Sequence, residues 1–237
     1  MTQLQSSIVF ATLAGAMIPL GAFAARVEHI RPRWLEQELR HSLIAFGGGI
    51  LLAAVSFVLV PEGISFLSPG WSIAAMGAGG VVFFWLDRLI ALKGGSAAQL
   101  FAMVSDFVPE AMALGAMFAS GDTGAPLLAV LIGLQNLPEG FNAYRELMAA
   151  RRHSSATILR SFLALVLLGP LAALLGHVYL AERPELTASV MLFAAGGILY
   201  LIFQDIAPQA QLERRWAPSL GAVGGFTLGL FGHMLVS

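Results

Sequence analysis

The chain has 237 residues, of which 57% are hydrophobic and only 11% charged, with a formal net charge of −1 and a mean hydropathy of +0.79. A water-soluble domain carries about 25% charged residues, so this chain could not cover a water-facing surface, and with no basic tract it offers nucleic acid no electrostatic footprint. The absence of cysteine excludes disulfides, thiolate metal sites and cysteine nucleophiles.

A bilayer core needs about 20 mainly apolar residues per crossing helix. Read between charge, proline and Gly-Ser punctuation, the sequence predicts an all-α integral membrane protein with eight spans. In chain order they are 5–25, 41–63, 71–92, 97–119, 125–148, 157–180, 186–208 and 216–236. The intervening loops are short, so residues 1–237 are read as one polytopic membrane domain. The leading MTQLQSS lacks the basic region of a signal peptide, and the first span is therefore expected to be retained.

Orientation follows from the basic residues. Arg26, Arg31, Arg33 and Arg40 lie between spans 1 and 2, and Arg88 and Lys93 flank the 3–4 connection. Arg145, Arg151, Arg152 and Arg160 flank the 5–6 connection, and Arg214 and Arg215 lie between spans 7 and 8. Twelve of the 13 basic residues thus share one side, with Arg183 alone on the other, which predicts both termini outside the cytoplasm. Span 2 (GGILLAAVSFVLVPEG) and span 7 (GGILYLIFQDIAPQA) are similar in sequence but opposed in direction. That is the mark of an inverted repeat, here of the form 3+2+3, and such repeats build many secondary transporters.

Most acidic residues fall in loops or at span ends, but Asp106, Glu110 and Glu139 fall mid-span and Asp205 near the inner end of span 7. An ionisable side chain at the bilayer centre costs roughly 2.5–3.5 kcal/mol on insertion scales, and so faces a protein-lined cavity and serves a function there. A structural ion pair is the plain alternative, but the only basic residue within spans 4 and 5 is Arg145, near the inner end. Asp106 and Glu110 are four apart on span 4, and Gln135 and Glu139 four apart on span 5, so each pair shares a helix face. Each glutamate follows a proline, Pro109 or Pro138, which cannot donate to the carbonyl four residues back and so loosens the helix. Counted from Thr123 in the connecting loop, Glu110 lies 13 positions before and Glu139 lies 16 after. The mismatch of three is about 4.5 Å of helical rise, so the two should sit at similar depth. Three carboxylates and an amide form an oxygen-rich site suited to a divalent cation, with Asn136 and Asn142 nearby.

These residues resemble a family. Paired proline-containing motifs on the fourth and fifth of eight spans, SDFVPEAMALG and QNLPEGFNAYREL, are similar to those of the ZIP (Zrt/Irt-like protein) divalent-metal transporters, and the likeness extends to the span-2 and span-7 runs. The resemblance implies Gln135 and Glu139 as span-5 ligands, Glu110 as the span-4 carboxylate, and Asp106 where the family usually places histidine. Where many members build a second metal position, this chain has Phe107, Asn136 and Gly169, so one metal per protomer is expected. The aspartate for histidine makes the site harder than one built for zinc.

The expectation is therefore a divalent transition-metal importer of the inner membrane, not an enzyme, carrying zinc or, alternatively, Cd, Fe or Mn. The ligands would be Asp106, Glu110, Gln135 and Glu139, with lipid bilayer and metal cation as partners and no nucleic acid. The family's arrangement suggests a homodimer in which spans 1, 4, 5 and 6 move as an elevator against 2, 3, 7 and 8. The rivals are a relative that binds metal without transport or moves another solute, and an intramembrane metal-dependent hydrolase, for which the sequence offers no nucleophile and no HExxH helix. His29, His41, His153, His177 and His233 lie near span ends and suit capping or interfacial roles, while Glu62 and Asp205 are candidate relays.

Overall fold

Without water to solvate exposed amides, a chain this apolar must satisfy its backbone within each segment, and the helix is the open-ended way to do so. The computed structural model describes residues 1–28, 33–93, 96–212 and 216–236, with side chains over the same residues except 33, 91–93, 96–99, 101 and 102. Of the residues used above for orientation, Arg31, Arg214 and Arg215 lie outside the described residues, as does His29, and Arg33 and Lys93 are described in backbone only. Every regular element among the described residues is helical.

Among the described residues, eight helices follow in chain order. They are α1 (Gln3–Val27), α2 (Arg33–Ala54, continued by Val55–Leu59 and Val60–Ser65), α3 (Pro69–Lys93), α4 (Ser96–Ser120), α5 (Ala125–Ala149), α6 (Ser155–Val166, Leu168–Leu175 and Gly176–Leu180), α7 (Pro184–Leu201, Ile202–Ile206 and Ala207–Ala210) and α8 (Ala217–Val236). Six of them, α1, α2, α3, α6, α7 and α8, are long and apolar enough to cross a membrane, which makes this a multi-pass membrane protein. The two outside that set, α4 and α5, are those that carry the mid-helix acids.

Local chemistry sets the ends. Thr2 caps α1 in a reciprocal capping box with Gln5, and Ser154 accepts the Thr157 amide to start α6. α4 ends in a Schellman turn, with Asp122 N–H donating to Met117 O and Gly121 N–H to Phe118 O. Gly121 takes φ +75° there, which favours glycine.

Val55–Leu59 and Ile202–Ile206 are single π-helical turns, closed by Val60 N–H on Val55 O and Ala207 N–H on Ile202 O. Each ends two residues before a proline, Pro61 or Pro208. A proline denies the preceding turn one helical donor, and the extra residue of a π turn absorbs the mismatch.

Glycine decides which helices touch most closely. A Cβ on Gly21 would run into Leu137 O and one on Gly140 into Ile18 O, which fastens α1 to α5. Gly115 meets Ala173 O and Gly176 meets Met112 O between α4 and α6. Gly49 meets Ala222 O and Gly225 meets Phe46 O between α2 and α8, while Gly79 meets Phe193 O and Gly196 meets Met76 O between α3 and α7. Such backbone-to-backbone approach is how small residues drive helix association in lipid. The helices fall into two groups of four, α1/α4/α5/α6 and α2/α3/α7/α8, which meet chiefly along α2 against α5 and α4 against α7. Ile18, Ala22, Met103, Phe141, Tyr144 and Phe162 form a core wholly inside the first group. A larger core, with Ile50, Leu59, Leu114, Leu128, Met191 and Ile198, joins the two.

Candidate functional site

The site lies where α4 and α5 face α2, α3 and α7. Both α4 and α5 run as unbroken helix through Pro109 and Pro138. A cavity of about 280 Å³ opens beside them. α5 supplies Gln135, Pro138, Glu139, Asn142 and Glu146, and α4 supplies Asp106. Ile44, Gly47, Gly48 and Leu51 of α2 line it too, as do Asp87 and Ile90 of α3 and Leu201, Asp205, Ile206 and Gln209 of α7. The lining runs from mid-helix towards the ends that carry Arg88, Arg145 and Arg151.

The four sequence-predicted ligands are brought to one place. Gln135 Nε2 donates to both oxygens of Glu110, each at 2.7 Å, and both side chains are buried. Asp106 is within electrostatic reach of Glu139, Glu110 and Asp205, and Glu139 of Glu110. They are not drawn to one point. Among the described residues no group of three or more His, Asp or Glu side chains converges tightly enough to hold a metal ion. The Gln135 amide turns its nitrogen end, not its oxygen, onto Glu110. Its Oε1 is left buried without a partner, as are Asp106 Oδ1 and Asn142 Oδ1.

Three unsatisfied oxygens at one cavity are costly, since a buried acceptor without a donor loses roughly 1–3 kcal/mol. Arg145 does not relieve them. Its guanidinium pairs with Glu28 and Glu36 and lies over the Phe141 ring at 5.7 Å, so the mid-helix acids keep no guanidinium neighbour among the described residues.

The neighbouring position is closed. Phe107, 2% exposed, sends its ring between Gly15 and Gly169, where added Cβ atoms would strike it. Asn136 turns away from the acids and donates to Ala14 O at 2.9 Å. Three described histidines have partners apart from the site: His177 bonds Ser7 at 3.2 Å, His41 meets Gln37 O, and His233 stacks on Phe57 at 5.1 Å.

Sequence reasoning placed Asp87 and Glu146 among the ordinary span-end acids, yet both line this cavity. One signal was available for Glu146. Positions 135, 139, 142 and 146 follow the 4-3-4 spacing of one helix face. Asp87 had none, because its place depends on how α3 packs on α7, where it accepts from Tyr200 at 3.0 Å.

A second cavity, of about 260 Å³, lies at the opposite end and is lined by Glu62, Asp122, Met117, Ser120, Thr187 and Met191 among others. Glu62 of α2 lies against Asp122 of the α4–α5 turn. Between the two cavities each contributing helix has a buried stretch: Val55 and Leu59 of α2, Glu110 and Leu114 of α4, Ala195 and Ile198 of α7.

No protein-family model matches the chain, and no curated protein matches it. What the site does must therefore be argued from its own chemistry.

Proposed function

We propose that this protein is a membrane carrier for divalent transition-metal cations, ZIP-like in plan, with Asp106, Glu110, Gln135 and Glu139 as the mid-membrane ligands and no catalytic role. The observation that carries the reading is the buried, partnerless Asp106 oxygen at a cavity lined by further carboxylates with no described basic side chain among its walls. Carboxylates kept out of water without a counter-charge are expensive, and an acidic cavity in a membrane is a place for a cation. The metal is cargo here. Loading would turn the Gln135 amide off Glu110 and present its oxygen instead. The ring of Phe107 filling the adjacent position supports one metal per protomer.

The packing supports eight spans in a 3+2+3 inverted repeat. Exchanging α1–α3 with α6–α8, and α4 with α5, turns the Gly21/Gly140 contact into the Gly176/Gly115 contact. The same exchange turns Gly49/Gly225 into Gly196/Gly79. It also superposes the two π turns and their prolines: 49 to 196, 55–59 to 202–206 and 61 to 208 share one offset of 147 residues. The twelve-to-one basic bias supports an inner-membrane protein whose arginine-rich end is cytoplasmic and whose termini are outside. The larger cavity would then be an inward vestibule and the smaller an outward one. Alternating access between them would move the α1/α4/α5/α6 group against α2/α3/α7/α8, as an elevator, in a protomer that pairs as a homodimer.

The test is uptake of Zn²⁺, Mn²⁺, Fe²⁺ and Cd²⁺ into proteoliposomes. Wild-type protein should accumulate at least one of them and Glu139→Ala none above empty vesicles. Uptake by Glu139→Ala at the wild-type rate would remove the site assignment.

A further inference from the structure

We propose that the ion pairs Glu36–Arg145 and Arg40–Glu146 form a register latch between the two four-helix groups, holding the chain with its arginine-rich cavity open. The inference rests on the movement of one group against the other proposed above, and it involves no metal. Both pairs cross the α2–α5 seam along which the groups meet. α2 contributes Glu36 and Arg40, four residues apart and so on one helix face, and α5 contributes the adjacent Arg145 and Glu146. Arg40 Nη2 lies 3.4 Å from Glu146 Oε1. Arg145 reaches Glu36 through Nη2, while its Nη1 holds Glu28 at the end of α1. Its guanidinium also lies over the Phe141 ring, so it is fixed to its own group before it reaches across.

The order of the charges makes the latch specific for one register. Sliding α2 along α5 by one helical turn is a displacement of about 5.4 Å. In one direction it would carry Arg40 to the place of Glu36, against Arg145. In the other it would carry Glu36 to the place of Arg40, against Glu146. Either slip exchanges an attraction for a repulsion between like charges. The four side chains are 24% to 35% exposed, so each pair is screened and weak by itself, which suits a latch that must open in every cycle. Farther along the same seam, Gly47 and Leu51 of α2 and Glu139 and Asn142 of α5 line the larger cavity. The register that the pairs hold is therefore the one in which that cavity is open, while Met191, on the wall of the opposite cavity, is only 3% exposed.

The experiment uses the full chain, purified in detergent without added metal, and the rate at which an uncharged maleimide labels one introduced thiol. The native chain has no cysteine, so Asn142→Cys reports on the larger cavity and Met191→Cys on the smaller. Glu36→Gln/Arg40→Gln removes both pairs and leaves the net charge unchanged. In that background Asn142→Cys is expected to label several-fold more slowly and Met191→Cys several-fold faster. Met191 lies at the opposite end from the altered charges, so a reciprocal change cannot come from their local field. Arg40→Glu should move both rates in the same sense, and Arg40→Glu/Glu146→Arg should bring both back towards the starting values. Unchanged rates would overturn the latch. So would two thiols that speed up together, which marks general loosening, or a charge swap that restores neither. Reciprocal labelling in a protein that takes up no divalent ion would instead overturn the carrier reading and leave the latch standing.

Discussion

At the scale of single residues, Asp106 is the side chain whose surroundings are least compatible with a merely structural role. A carboxylate kept for stability would be given donors, and its Oδ1 has none. Removing it should therefore stabilise the metal-free fold while destroying the site. Asp106→Leu is expected to raise the thermal midpoint of the purified protein, by an amount corresponding to about 1–3 kcal/mol, and to lack the further upward shift that saturating divalent metal would give wild type under the proposed function. A midpoint that falls instead would mean the aspartate is a structural anchor. Asp106, Glu110, Gln135 and Glu139 were all legible in the sequence, because apolar helices make an acid conspicuous and four-residue spacing fixes a face. The Gln135 amide clamped on Glu110 was not legible, since a side-chain rotamer depends on what the facing helix offers.

The element scale shows where reading the chain succeeded and where it ran out. Helices α4 and α5 and their shared loop fall close to the predicted positions, because the glycine- and proline-bearing SGDTGAP run marks where one ends and the next begins. The π turns at Val55–Leu59, Gly176–Leu180 and Ile202–Ile206 did not announce themselves, although the first and last precede a proline; the local hydrogen-bond pattern is chosen only once neighbouring helices fix the axis. Nor did hydropathy distinguish a glycine against a backbone from one facing outward. Gly140 and Gly77 look alike in sequence, yet a methyl group on the first would collide with Ile18 O and on the second would meet nothing within 4 Å. Gly140→Ala is accordingly expected to cost about 1–3 kcal/mol of stability through overpacking. Gly77→Ala should leave the melting temperature unchanged, as scanning fluorimetry in detergent would measure. Equal effects of the two would mean that the α1–α5 contact is looser than described.

For the whole molecule, topology is open to direct test, because the native chain contains no cysteine and any introduced thiol is the sole target. Thr123 in the α4–α5 turn and Ser154 before α6 are both exposed and belong to opposite ends of the bundle. In intact cells a membrane-impermeant maleimide should label Thr123→Cys and spare Ser154→Cys; the reverse pattern would invert the orientation. The two hollows bear on speed. Val55, Leu59, Leu114 and Ile198 stand between them, so among the described residues no open column joins the two hollows. If the protein is the carrier proposed, each delivery would wait on a rearrangement of whole helices, a microsecond-to-millisecond event. Planar-bilayer recordings should accordingly stay free of unitary current steps, however steep the gradient imposed.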